Sequence, residues 1–139
     1  MRLPVLLVGC GQILVSSVIA LGPPAAQAHH SFAMFDRQHE VVLNGTVTSF
    51  NWGNPHCSFD LIVLMPDGDR HYLIETGGPN VLVRAGWKYS DVKVGEKLKV
   101  LLAPLRNGSS GGGLEQVMLQ DGRILTGGLP PEPGIKLLQ

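Results

Sequence analysis

The chain has 139 residues, with 11 Lys and Arg against 11 Asp and Glu, so its formal net charge is zero. That balance excludes an electrostatic footprint for nucleic acid or for an anionic membrane surface. Cys10 and Cys57 are the only cysteines, which excludes the disulfide framework of a small stapled scaffold.

Residues 1–28 have the three parts of an export signal. Met1-Arg2 supplies a short positive start, Leu3 to Leu21 an apolar run, and Gly22-Pro23-Pro24 a helix break before Ala26-Gln27-Ala28, a signal-peptidase site. Leu7-Val8-Gly9-Cys10 resembles a lipoprotein signal, but its apolar lead-in is short and a better cleavage site follows. The expectation is therefore a cleaved signal, a periplasmic or secreted protein, and no stable membrane anchor after cleavage. Cys10 would leave with the signal. Cys57 would then stand alone in an oxidising compartment, where its simplest role is that of a small buried hydrophobe.

Cleavage after Ala28 would leave one domain over 29–126 and a Gly/Pro-rich tail over 127–139. Val41-Val42-Leu43 leads into Thr46 to Trp52, which alternates β-branched or aromatic residues with polar ones, the period of a half-buried strand. Asn44-Gly45 inside that run suggests a bulge or kink. His56 to Met65 reads as a second strand, with Cys57, Phe59, Leu61 and Val63 on one face. After a turn at Pro66-Asp67-Gly68-Asp69, Arg70 to Thr76 returns as a third strand.

Gly77-Gly78-Pro79-Asn80 breaks the pattern, and Asn80 is a candidate cap for one or two helical turns over Val81 to Trp87, ended by Gly86. A polar turn over Asp91 to Lys97 leads to a strand over Leu98 to Ala103. Arg106 to Gly113 reads as a flexible Gly/Ser-rich loop. Two short strands, Leu114 to Leu119 and Arg123 to Thr126, flank a turn at Gln120-Asp121-Gly122. Three strands, a short helix and two or three more strands suit an all-β OB-like Greek-key barrel. The alternative, a two-sheet β-sandwich, needs about seven strands.

Five histidines form the one cluster with chemical promise: His29, His30, His39, His56 and His71. Their spacing fits no zinc template. A mature N-terminal His29, however, would offer its free amine and its ring nitrogen to one metal in a closed chelate. A second imidazole, from His56 or in its place His30, would complete a nitrogen set suited to Cu(II). A second candidate is a ligand pocket at one barrel mouth made by Asn54, Glu75, Asn80, Arg84 and Trp87, with His56 beside them. Its plainer version is an Arg84–Glu75 ion pair with Trp87 plugging the barrel end.

Ser31, Ser58 and Ser90 lack any nucleophile-elbow or triad context, and Gly111-Gly112-Gly113 has no following lysine to make a phosphate loop. The expectation is a binding or accessory protein and not an enzyme. Its ligand is either copper or a protein or small molecule bound without metal.

His29-His30-Ser31-Phe32, Phe35-Asp36, Gly45-Thr46-Val47, Asn54-Pro55-His56, Pro79-Asn80, Arg84-Ala85-Gly86-Trp87 and Asp121-Gly122-Arg123 occur in this order. Together they resemble a family of small exported bacterial proteins of unknown function. The resemblance implies export and one small domain, and implies no activity, cofactor or ligand. Tyr72 stands where that family leads one to expect tryptophan.

Overall fold

A computed structural model describes residues 32–128. The segment expected to be an export signal, His29, His30 and the residues beyond Gly128 lie outside the described residues.

The elements follow in the order β1 (Val41–Asn51), β2 (Ser58–Val63), β3 (Arg70–Glu75), α1 (Pro79–Arg84), a 3-10 turn (Tyr89–Asp91), β4 (Lys97–Pro104), β5 (Gly111–Met118) and β6 (Ile124–Thr126). Neighbouring strands run β3-β2-β1-β4-β5-β6, and β3 also pairs with β5. That last pairing is parallel, Leu73 to Glu75 against Gly111 to Gly113, and it closes five strands into a barrel with β6 as an extra strand. The result is an all-β fold with one short helix, and closure rules out the two-sheet sandwich. Closure also hides sheet edges that would otherwise offer unpaired backbone groups to other chains.

The alternating face foreseen for the second strand is the barrel interior: Cys57, Phe59, Leu61 and Val63 are all buried. Leu43 and Val47 from β1, Ile74 from β3, Leu98, Val100 and Leu102 from β4, and Leu114 and Val117 from β5 complete the packing. Leu82 and Trp87 enter the same core from the segment after β3. Phe35, Leu101 and Ala103 are buried outside that cluster, where the chain before β1 crosses β4 and Phe35 bridges to Leu105.

Several expectations need correction. The irregularity in β1 lies between Val47 and Ser49, not at Asn44-Gly45. Gly45 stays in register. What its missing side chain permits is a close approach, because a Cβ there would fall 2.9 Å from the Ile62 carbonyl oxygen. The second strand is shorter than His56 to Met65, because Cys57 already pairs with the turn after β3, through its amide to Gly77 O at 3.2 Å. Asn80 is not the helix cap. Gly78 holds that position in extended conformation with Pro79 opening the helix, as suits a residue whose missing N–H would be unpaired anyway. Gly86 does end the helix, at φ +90°. The Trp87 amide bonds Leu82 O at 3.0 Å and the Gly86 amide bonds Val83 O at 3.1 Å, a Schellman pattern that turns Trp87 inward.

The largest departure is the Gly/Ser-rich stretch. Gly111, Gly112 and Gly113 are buried members of β5, not part of a loop. A side chain at Gly111 would meet Leu73 O at 2.7 Å, and one at Gly112 would meet Leu102 Cδ1 at 2.6 Å. Glycine is present here because three strands converge where the barrel shuts.

Candidate functional site

The β1–β2 connection, the end of β3 and the start of α1 meet at one end of the barrel. Glu75 lies opposite Ser58 across the β2–β3 ladder. The Thr76 amide bonds Cys57 O at 2.9 Å, and its hydroxyl, also buried, donates to the same oxygen at 3.1 Å. The peptide joining Asn54 to Pro55 is cis. Gly78 packs so closely on that segment that a Cβ there would lie 2.5 Å from Pro55 O and 3.6 Å from Asn54 Oδ1. The backbone thus places Asn54, His56, Glu75 and Asn80 around one small area. Arg84 follows Asn80 by four residues and shares its helix face.

Within this area Asn54, Asn80 and Arg84 are exposed, whereas His56 and Glu75 are half-buried. Trp87 stands apart. It is 2% exposed, and its indole Nε1–H donates to Thr126 O at 2.8 Å. It therefore plugs the barrel and ties β6 to the helical segment. Among the described residues no ion pair joins Arg84 to Glu75, and no hydrogen bond joins His56 to Glu75. The other two described histidines are elsewhere. His39 shares a 2.8 Å hydrogen bond with Asp36, and His71 sits opposite Ile62 on β3.

Among the described residues no group of three or more His, Cys, Asp or Glu is arranged to hold a metal ion. Cys57 is fully buried; burial pushes its thiol up from the ordinary value, and its Sγ lies 3.9 Å from Gly53 O. A buried, protonated thiol is a poor nucleophile and a poor ligand.

An aromatic cluster at the same end escapes a reading of the sequence. Phe50 stacks on Tyr89 with ring centroids 5.9 Å apart, and Trp52 meets both rings edge-on at 5.8 and 6.1 Å. Tyr89 is 68% exposed. The Phe50-x-Trp52 alternation hints at two rings on one side of a strand, but nothing local brings Tyr89 to them.

Behind the 3-10 turn lies a charged clasp. Arg123 binds Asp91 Oδ1 at 2.7 Å and Asp121 Oδ2 at 2.8 Å, while Asp91 Oδ2 accepts from the Lys88 amide at 2.7 Å. The Asp91 side chain is only 4% exposed. Burial alone would raise its pKa, but the Arg123 guanidinium and the Lys88 amide outweigh burial and hold it below the ordinary value. This clasp fixes the turn that presents Tyr89, so its charges are structural. Among the described residues no helix is long and apolar enough to cross a membrane.

No curated protein and no solved structure matches this sequence. Residues 17–115, more than half of the chain, match the model of a family of unknown function (DUF6152), and the chain belongs to that family.

Proposed function

We propose that this protein is a small exported binding protein with no catalytic step of its own, engaging its ligand at the helical end of the barrel. The observation that carries the reading is how polar side chains are used. Elsewhere Asp36, Arg37, Asp91, Glu115 and Arg123 are drawn into ion pairs. At this end Asn54, His56, Glu75, Asn80 and Arg84 have no hydrogen-bond or ion-pair partner for their side chains among the described residues. Unengaged polar groups gathered on a rigid frame are what a recognition site needs. Export rests on residues 1–28 and is tested by mass spectrometry of the exported protein, with His29 as the expected first residue.

In one form of this reading the ligand is Cu(II). His56 would supply one imidazole, and the His29 amine and ring would supply the other nitrogens, with His30 as the substitute. Copper bound this way adds a cation held by uncharged nitrogen donors. Titration of the processed protein with Cu(II), followed by electron paramagnetic resonance, tests it. A tetragonal nitrogen signal is expected, weakened by His56→Ala and by an extra residue ahead of His29. Affinity that ignores both changes rejects the metal form and leaves the binding reading standing.

The metal-free form is favoured by Asn80 and Arg84 sharing one exposed helix face, with Tyr89 exposing its ring beside the half-buried Trp52 at the same end. A partner cross-linked in envelope extract should be lost with Arg84→Ala or Asn54→Ala. A partner retained by both variants moves recognition away from this end of the barrel.

A further inference from the structure

On the outer wall of the barrel, strands β2, β1, β4 and β5 frame a groove of about 400 Å³. Its shape follows from register. Ile62 lies opposite Thr46, Thr46 opposite Lys97, and two residues along β4 Lys99 lies opposite Met118. The groove therefore carries two ammonium groups on its β4 strip and apolar side chains on both flanks, Ile62 and Leu64 on one and Met118 on the other. Leu64 is 78% exposed, a large apolar side chain held at the rim with no packing of its own to justify the position. No carboxylate lines the groove. Across four strands it measures about 14 Å, from three interstrand spacings of roughly 4.8 Å.

We propose that this groove binds a free medium-chain alkyl carboxylate, with its head on Lys97 and its chain along the apolar flank of Ile62 and Leu64. The charge pattern selects the head: Lys97, in a lining that holds no acid, favours an anion and penalises a cation. Lys97 is the anchor, because Lys99 has an interaction of its own. The apolar flanks select the tail, since a small inorganic anion would leave Ile62, Leu64 and Met118 as exposed as before. The volume lies in the range of small-molecule sites.

The test is calorimetric titration of the full processed protein with octanoate, decanoate and dodecanoate, each below its micelle concentration. Saturable binding is expected, tightening by up to about fourfold per added methylene. Lys97→Met keeps the apolar stem and removes the charge, and should weaken dodecanoate binding at least tenfold. Leu64→Ser, at an exposed position, should weaken it severalfold and flatten the chain-length dependence. Dodecyl maltoside should bind at least tenfold more weakly than dodecanoate, and acetate should give no heat. Equal affinity for the neutral detergent, binding only to dodecanoate-containing vesicles, or no effect of either substitution overturns the proposal. Both substituted side chains point to solvent, so circular dichroism identical to the parent is expected and isolates the binding change.

Discussion

Gly112→Ala probes the point where the barrel shuts. The new methyl would lie 2.6 Å from Leu102 Cδ1 and 3.0 Å from the Ala103 carbonyl carbon, closer still to the Ala103 oxygen. Leu102 is a flexible side chain and can yield. The Ala103 carbonyl cannot, because its strand pairs with β5 on one side and, one residue earlier at Leu102, with β1 on the other. Overpacking of this kind costs about 3 kcal/mol at the upper end of the usual range. Against it stands a gain of about 0.4–1 kcal/mol from the stiffer unfolded chain. The net expectation is a loss of about 2 kcal/mol, or roughly 8–15 °C in Tm for a domain of this size. Gly53→Ala is the control, since its Cβ would meet nothing nearer than Asn51 Oδ1 at 3.4 Å. That variant should match the parent or exceed it by about 0.5 kcal/mol. Urea denaturation followed by circular dichroism measures both. A Gly112→Ala protein within about 0.5 kcal/mol of the parent would refute the claim that glycine at this seam is required by backbone proximity.

Two further substitutions test how the helical segment is fastened. Trp87→Phe removes the indole donor to Thr126 O and part of a buried ring system, and thermal unfolding should show a loss of about 2 kcal/mol. Asp91 has a folded pKa below its unfolded value, so its contribution is fully present above the ordinary carboxylate range and disappears as pH falls through the lowered value. Stability measured from pH 7 down to pH 2 should therefore decline through the acid range. In Asp91→Asn the decline should be shallower and start from a lower plateau; the part that remains belongs to Asp36, Asp67 and Asp121, whose pKa values are also depressed.

Much of the strand pattern can be read from local sequence, for a local reason. Cys57, Phe59, Leu61 and Val63 alternate because a pleated strand with one buried face allows nothing else, and all four are buried. Pro66-Asp67-Gly68-Asp69 and Gly86 mark turns because proline fixes its own φ and glycine readily takes the positive φ that Gly68 and Gly86 adopt. Gly111 to Gly113 defeat that logic. A glycine run reads as a loop when only propensity is considered, but here it is a strand, because β3 at Gly111 and β4 at Gly112 approach too closely to leave room for a Cβ. Asn80 fails as a cap for a related reason: Gly78 packed on Pro55 sets the helix start two residues earlier.

The candidate site divides in the same way. Asn54, His56, Asn80 and Arg84 stand out in the sequence as polar residues in rigid or helix-bounding contexts, and pairing of β2 with β3 brings them together. Trp87 stands out too, but whether it faces a ligand or the core depends on the Schellman turn and on Thr126, which is 39 residues away. Tyr89 joining Phe50 and Trp52, and Lys97 joining Ile62, are wholly products of tertiary pairing. The amino-acid order determined which segments extend, where they turn and which faces are apolar, because those are properties of neighbours along the chain. Closure of the barrel, the outer groove and the company each polar side chain keeps were decided only when strands distant in sequence met, because strand register and backbone approach have no local signature.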